Sequence, residues 1–420
     1  MTQARASLKS LDDALAELLA HVHGLQQTEL ISTFDADGRV LAQAVTSNLH
    51  VPPQDNSAMD GYAVRCADLV SGGLLPVSQR IPAGSAGTAL QAGTVARIFT
   101  GAPIPAGADA VVMQEDCEFV QSADASLGSV KVNAVPKQGQ WIRKAGEDVA
   151  RGAMVLQKGE RLNPASLGLA ASIGLAQLSV VRQPKVALFS TGDELVMPGD
   201  IAPENMPAGS IYNSNRFFLR ALLKRLGCVV TDMGIVPDNL EVTKAALLSA
   251  AEGHDLILTS GGVSVGEEDH IKPAVQALGE LNLWQIAIKP GKPFAYGKVN
   301  NTVNSTHFIG LPGNPVSSFI TFLVLVRPFI LKLQGIENGL NIAIQSIAVK
   351  ADFTWAKADK RREFLRVKRN AIGGLDLFPN QSSGVLTSAV WGDGLVDNPP
   401  GQTIAIGDMV QFVSFAELLS

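Results

Sequence analysis

Three turns within one stretch of the chain carry residue types suited to holding an anion. The first is Ser260-Gly261-Gly262-Val263-Ser264, which runs into Glu267, Glu268 and Asp269. The second is Lys289-Pro290-Gly291-Lys292-Pro293, and the third is Gly310-Leu311-Pro312-Gly313-Asn314-Pro315. Glycines let backbone N–H groups approach a phosphate closely, and a helix N-terminus adds a favourable dipole. Two lysines held by a rigid Pro-Gly turn are point-charge partners for an oxyanion. Each turn alone has a plain structural explanation. Glycine suits a strand-to-helix turn, acids suit a helix N-terminus, and Asn314 with Pro315 can start a helix unaided. The three together are more specific than any one.

Acids beside glycine or proline recur elsewhere. They are Asp60 in Met59-Asp60-Gly61, Asp148 in Gly146-Glu147-Asp148, Glu194 in Gly192-Asp193-Glu194, and Asp238 in Pro237-Asp238-Asn239. Singly, such residues cap turns. Near an oxyanion they make sense with a metal between, and magnesium bound by one or two carboxylates plus substrate phosphates is the common arrangement. Other catalytic schemes lack their residues. The histidines form no spaced metal motif, and neither a Gly-x-Ser-x-Gly elbow nor a Walker loop occurs.

The elements that position these residues change character along the chain. Ser10 to Val22 reads as an amphipathic helix capped by Ser10. From Leu30 to about Leu178 glycine and proline punctuate short apolar runs, such as Val95 to Thr100 and Ala110 to Gln114, so this part reads as largely β. A short helix from Pro164 to Ile173 has Asn163 as cap. From Lys185 strands alternate with helices: a strand at Val186–Ser190, a helix capped by Asn213 or Ser214 and ended by Gly227, and a helix at Leu240–Ala251. A strand at Leu256–Thr259, a helix at Ile271–Leu278 and a long apolar helix from Pro315 follow. That alternation predicts a parallel sheet covered on both faces, with ligands at the carboxyl ends of its strands. After about Gln334 the helical signals fade, and the tail reads as a small β-barrel or sandwich.

A chain of 420 residues is long enough for several domains. With 46% hydrophobic and 17% charged residues it has the composition of a soluble globular protein. A net charge of −5 argues against general nucleic-acid binding but leaves room for a local basic pocket. Cys66, Cys117 and Cys228 form no Cys-x-x-Cys pair, which suits a reducing, cytoplasmic setting. No basic leader with an apolar core precedes the first helix. Phe319 to Leu333, interrupted by Arg327, Pro328 and Lys332, reads as a buried helix rather than a membrane span.

Taken together, these strings resemble the molybdopterin molybdenumtransferases of the bacterial MoeA type, also found as the C-terminal part of gephyrin. The resemblance is carried by Ser57-Ala58-Met59-Asp60-Gly61-Tyr62-Ala63, Phe99-Thr100-Gly101-Ala102-Pro103 and Ser190-Thr191-Gly192-Asp193-Glu194-Leu195. It continues through Asn213-Ser214-Asn215 and the three turns already named. It implies an elongated homodimer of multidomain subunits. A β-rich domain, 47–151, sits on a discontinuous hinge domain, 28–46 and 152–178. An α/β molybdopterin-binding domain takes 5–27 and 179–333, and a C-terminal β-barrel takes 334–420. The active site would lie between the α/β domain of one subunit and the β-rich domain of the other.

The implied reaction inserts molybdate into adenylylated molybdopterin and releases AMP, with a divalent cation such as Mg2+. Ser260, Gly261, Gly262, Ser264, Pro312, Gly313 and Asn314 would cradle the pterin phosphate and nucleotide. Glu194, Asp238 and Asp269 would hold the metal or orient the dithiolene end. Asp60, Thr100 and Asp148 would come from the partner subunit. Lys289, Lys292, Arg362 and Ser383 would meet the oxyanion, since a doubly charged molybdate needs such donors. Some members carry a lysine directly after the aromatic of the preceding strand. Here that place is Gln285, after Trp284, which implies one cation fewer.

Two other readings compete. A molybdopterin adenylyltransferase uses the same α/β fold, but its loop reads Gly-Gly-Thr-Gly rather than Gly-Gly-Val-Ser, and it would consume ATP. A non-catalytic pterin-binding scaffold is the second, against which stand the acids at 60, 148, 194, 238 and 269. Adenylyltransferase and molybdoenzyme delivery proteins are candidate partners. Nucleic acid and membrane are not.

Overall fold

Runs of apolar and β-branched residues build the sheet that positions the three turns. In chain order its strands are β1 (Lys185–Thr191), β2 (Val229–Val236), β3 (Leu256–Ser260), β4 (Gly279–Gln285), β5 (Pro293–Asn300) and β6 (Ser305–Leu311). The computed structural model of the chain describes residues 8–121, 127–263, 270–301, 305–336 and 342–419. Spatial order is β2-β1-β3-β6-β5-β4. The pairs β2/β1, β1/β3 and β3/β6 are parallel, whereas β6/β5 and β5/β4 are antiparallel. The sheet is therefore mixed rather than wholly parallel. Residues 286–292 between β4 and β5 are too few for a parallel crossover, which takes about a dozen residues.

Successive strand residues point to opposite faces, and both faces are buried. Val186 and Leu188 of β1, with Leu256 and Leu258 of β3, join a core that includes Leu219, Leu222 and Leu223 of the helix Asn215–Arg225. Ala187, Phe189 and Ile257 join the other core, with Leu247 of Leu240–Ala251 and Ala274 and Val275 of Ile271–Leu278. These last two helices have the bounds read from the sequence.

The long apolar helix runs from Pro315 to Leu333, with 89% of its most apolar window buried. It is long and apolar enough to cross a membrane, yet here it packs in the core beside the sheet. It widens to a π-wound stretch at Phe322–Val326. Pro328 lacks the N–H that would bond the Val324 carbonyl in a regular α-helix, and the wider turn accommodates that loss.

Chain order fixes where a ligand can enter. From β1 the chain moves outward to β2, then crosses to the other side of β1 to form β3. The register sets Thr191 beside Val236, Ser190 beside Ser260, and Ser260 beside Leu311. Four carboxyl ends thus lie together around a point where the strand order reverses, the place where such sheets open a crevice.

Before this sheet, Gly61–Val64, Leu74–Ile81, Val95–Ile98, Ala110–Met113, Cys117–Val120 and Ser129–Val132 form a separate six-stranded sheet. The segments flanking it pair with each other: Thr28–Ser32 with Gln177–Val181, and Val45–Thr46 with Met154–Leu156. After it, Ile347–Lys350, Arg362–Arg369, Leu375–Leu377, Gly394–Asn398 and Met409–Ser414 form a sheet that also takes in Ile288–Lys289. This sheet curls, because Ala351 at its outer edge bridges back to Leu375. The short helices Thr387–Trp391 and Phe415–Leu418 were not legible as helices, being too brief to show a period.

Candidate active site

A crevice of about 650 Å3 opens at the four carboxyl ends, within the size range of small-molecule sites. Gly192, Glu194, Asp238, Ser260, Gly261 and Gly262 line it, as do Pro312, Gly313 and Asn314. The first and third turns read from the sequence therefore meet in one place, and two of the acids share its lining. Ser264 and Asp269 lie outside the described residues, as do Glu267 and Glu268.

Local geometry explains the glycines. Gly261 and Gly262 have φ of 96° and 69°, the left-handed region. A Cβ on Gly262 would stand 2.5 Å from Ile271 Cγ1, and one on Gly261 2.8 Å from the Thr191 carbonyl oxygen. Gly313 differs: a Cβ there would meet only Gly261 Cα, at 3.9 Å. Packing alone does not require glycine at 313.

Asn215 ties the two turns together. Its amide donates to Ser260 Oγ at 2.7 Å and to the Gly313 carbonyl at 2.7 Å. The sequence string Asn213-Ser214-Asn215 contained this residue, but no spacing rule assigns it to a partner 98 residues away. Ser214, the middle residue of that string, makes no side-chain cap. The helix is capped instead by Asn213 Oδ1, which accepts from Arg216 N–H at 3.2 Å.

The acids at the crevice repel one another. Asp193 N–H donates to Asp238 Oδ2 at 3.3 Å, and Asp238 N–H donates to Asp193 Oδ1 at 3.1 Å, so the two loops are cross-bonded. Burial raises the Asp238 carboxyl above its ordinary pKa, and the charges of Asp193 and Glu194 push the same way, while the Asp193 N–H and His270 oppose. Among the described residues no group of three His, Cys, Asp or Glu side chains is placed to hold a metal. The metal-ligand set read from the sequence includes Asp269, outside those residues.

The cationic candidates separate. Lys289 Nζ pairs with Glu363 at 3.0 Å and Asp359 at 3.3 Å. Arg362 makes two bonds to Asp397, at 2.6 and 2.5 Å, and one to Asp12 at 3.0 Å. Neither lines the crevice. Both are committed to acids of the curled sheet and first helix, because Ile288–Lys289 pairs with Arg362 and Glu363. Lys292 is half-buried and forms no ion pair among the described residues, and its neighbour Pro293 lines the crevice. Gln285 faces Pro293 across β4 and β5.

The helix N-terminus at Pro315 is not bare. Asn314 makes no side-chain cap, and Val316 N–H donates to the Ser383 carbonyl at 2.9 Å. Ser383 thus enters through its backbone, beside Gly384, which lines the crevice. Its loop is held by Arg366, 1% exposed, which donates to Ser382 O at 3.2 Å, Ser388 Oγ at 3.0 Å and Phe364 O at 3.1 Å. Arg366 was not singled out from sequence, since one arginine in a strand of mixed charge gives no signal.

Asp60, Thr100 and Asp148 do not line this crevice. Thr100 N–H and O–H both donate to Asp60 Oδ1 at 2.8 Å. Those bonds hold the exposed Asp60 carboxyl below its ordinary pKa, with Arg97 assisting. Asp148 is exposed, and its N–H donates to Val51 O at 3.0 Å.

Residues 9–174 match the family "MoeA N-terminal region (domain I and II)", 187–332 match "Probable molybdopterin binding domain", and 348–415 match "MoeA C-terminal region (domain IV)". A molybdopterin molybdenumtransferase of Haemophilus influenzae is 44% identical over 327 residues, 78% of each chain. The chain belongs to the molybdopterin molybdenumtransferase family. A second molybdopterin molybdenumtransferase, from Nostoc, is 33% identical over 94% of this chain and 91% of its own. The crystal structure of a molybdopterin biosynthesis MoeA protein from Pyrococcus horikosii superposes with a TM-score of 0.76 at 31% identity, covering 97% of this chain and 99% of that one. The crevice lies largely inside the part matched as a molybdopterin-binding domain, and the Asp60–Thr100 pair lies in the part matched as MoeA N-terminal.

Proposed function

We propose that this chain inserts molybdate into adenylylated molybdopterin, releasing AMP, in the biosynthesis of molybdenum cofactor. One observation carries the reading: glycine turns and two acids, Glu194 and Asp238, line a single crevice at the carboxyl ends of the parallel strands. Backbone N–H groups of Gly261, Gly262 and Gly313 would hold the phosphates, and Asn215 keeps the two turns at a fixed separation. Lys292 is the cation best placed for molybdate. Water cleaves the phosphoanhydride bond and frees AMP, and the two pterin thiolates bond to molybdenum in place of molybdate oxygens, which take up protons and leave as water.

A divalent cation, Mg2+ by its preference for carboxylates and phosphate, suits the acids of the crevice. Burial raises the proton affinity of Asp238, the charges of Asp193 and Glu194 add to it, and a cation would relieve that repulsion. Glu194 and Asp238 would hold it, with Asp269. When bound it would neutralise phosphate charge and polarise the anhydride.

Asp60, Thr100 and Asp148 act, in this reading, from a partner subunit of a homodimer. Their exposure and their absence from this chain's own crevice support that placement. The domain limits are those given from the sequence: 47–151 on a hinge of 28–46 and 152–178, the α/β domain of 5–27 and 179–333, and a barrel from 334, for which the curled sheet is the support. Three free thiols fit the cytoplasm.

The test supplies purified protein with adenylylated molybdopterin, magnesium and molybdate, and reads reconstitution of a cofactor-free molybdoenzyme. Reconstitution is expected. ATP consumption with unmodified molybdopterin would instead make the chain an adenylyltransferase.

A further inference from the structure

Asn213 stands at the crevice with half of its amide in use. The residue is 2% exposed and lines the cavity. Its backbone N–H donates to Val196 O at 2.9 Å. Its Oδ1 accepts from Arg216 N–H, and since a backbone N–H must donate, that bond fixes which amide atom is oxygen. The Nδ2 group has no partner among the described residues. Two residues on, Asn215 presents the contrasting case, for its Nδ2 is spent on Ser260 and Gly313.

A buried amide donor without a partner costs free energy, and native structures rarely keep one without a use. Here the cost is removed if a bound molecule supplies an acceptor. The chain on either side narrows what that molecule presents. Ile211 and Tyr212 line the crevice before Asn213, and Tyr212 is held in place by its hydroxyl donating to Ile201 O at 2.7 Å. After Asn213 come Asn215 and the glycine turns. Apolar and aromatic surface and an anion cradle thus share one crevice with the free amide, surroundings suited to a heterocycle bearing a phosphate.

We infer that Asn213 is a specificity-determining residue whose Nδ2 donates to an acceptor oxygen of the bound pterin–nucleotide, while its Oδ1 fixes the amide by capping the helix Asn215–Arg225. This rests on the proposed function. The acceptor is a phosphate oxygen or a ring carbonyl, and both are read by the same donor. A site built to donate discriminates against ligands lacking the acceptor, because the amide is then left unpaired.

The experiment compares wild type with Asn213→Ser and Asn213→Asp. Serine keeps a capping oxygen and removes the amide donor. Aspartate keeps the capping oxygen and turns a carboxylate toward the ligand. Thermal midpoints report whether the cap survives, and Asn213→Ser is the variant read if the buried carboxylate of Asn213→Asp disturbs folding. Dissociation constants are measured for adenylylated molybdopterin, for AMP and for molybdopterin. Asn213→Ser should bind adenylylated molybdopterin about ten- to thirty-fold more weakly with its midpoint retained, and Asn213→Asp more weakly still. A loss shared with AMP puts the acceptor on the nucleotide phosphate, and a loss shared with molybdopterin puts it on the pterin part. Equal affinity of wild type and Asn213→Ser overturns the inference while leaving the function standing. Failure of wild type itself to bind removes the proposed function, and this inference with it.

Discussion

Gly262 and Gly313 look alike in the sequence but answer to different demands. At Gly262 the backbone is left-handed and Ile271 occupies the space a Cβ would take, so Gly262→Ala should lower stability by about 1–3 kcal/mol. At Gly313 there is room, so Gly313→Ala should leave the thermal midpoint near wild type and weaken ligand binding by narrowing the crevice. Unfolding and ligand titration of both variants separate the two roles, and equal midpoints would contradict the distinction. Asp238 carries a further prediction. Its carboxyl is raised in the folded state by burial and by Asp193 and Glu194. A raised acid favours the folded state only while protonated. Its penalty is therefore present above the folded pKa and disappears as pH falls through that value toward the ordinary carboxylate range. Asp238→Asn should be more stable than wild type at neutral pH, with the gap closing in acid, and its turnover should fall about 10²-fold or more. Gln285, opposite Pro293, offers the reverse change: Gln285→Lys should tighten molybdate binding, read by competition at several salt concentrations.

Among the elements, the loop at Ser382–Gly384 shows how a distant strand finishes the crevice. Arg366 meets no carboxylate among the described residues. It is satisfied by two carbonyls and a serine hydroxyl, and burial lowers its pKa to about 10. Arg366→Ala should cost about 3 kcal/mol, since three bonds to a buried charge are lost, and denaturant unfolding measures it. The same strand explains where sequence reading fell short. Helices Leu240–Ala251 and Ile271–Leu278 were legible because their apolar periods and flanking residues are local. Lys289 pairs with Glu363, and Arg362 with Asp397 and Asp12, partners that a lysine beside Pro-Gly and an arginine in a strand do not announce. Asp12 lies 350 residues from Arg362, and Glu363 lies 74 from Lys289. The cap on the Pro315 helix failed similarly: Asn314 has the right type, but the Ser383 carbonyl takes the N–H of Val316.

On the scale of the whole molecule, the chain's three larger sheets divide the labour. The mixed sheet holds the crevice, a loop between strands of the curled sheet adds Gly384 to its lining, and the pair Asp60–Thr100, at the ends of strands of the first sheet, does not line it. The family was legible because seven short strings fall in one order. Glu194 and Asp238 both line the crevice, while Asp60 and Asp148, expected from a partner subunit, do not line it within one chain. If the missing pair is supplied by a partner subunit, a mixture of Asp60→Ala and Asp238→Asn proteins should regain activity that neither has alone, approaching about a quarter of wild type for random exchange between two-site dimers. No recovery after subunit exchange would place all the acids in one chain. If the crevice turns over adenylylated molybdopterin in a reaction that needs molybdate, AMP release measured with and without molybdate will show it. AMP release by wild type should rise with molybdate and be lost in Asp238→Asn. Release of the same size in wild type and Asp238→Asn, or none in either, would contradict it.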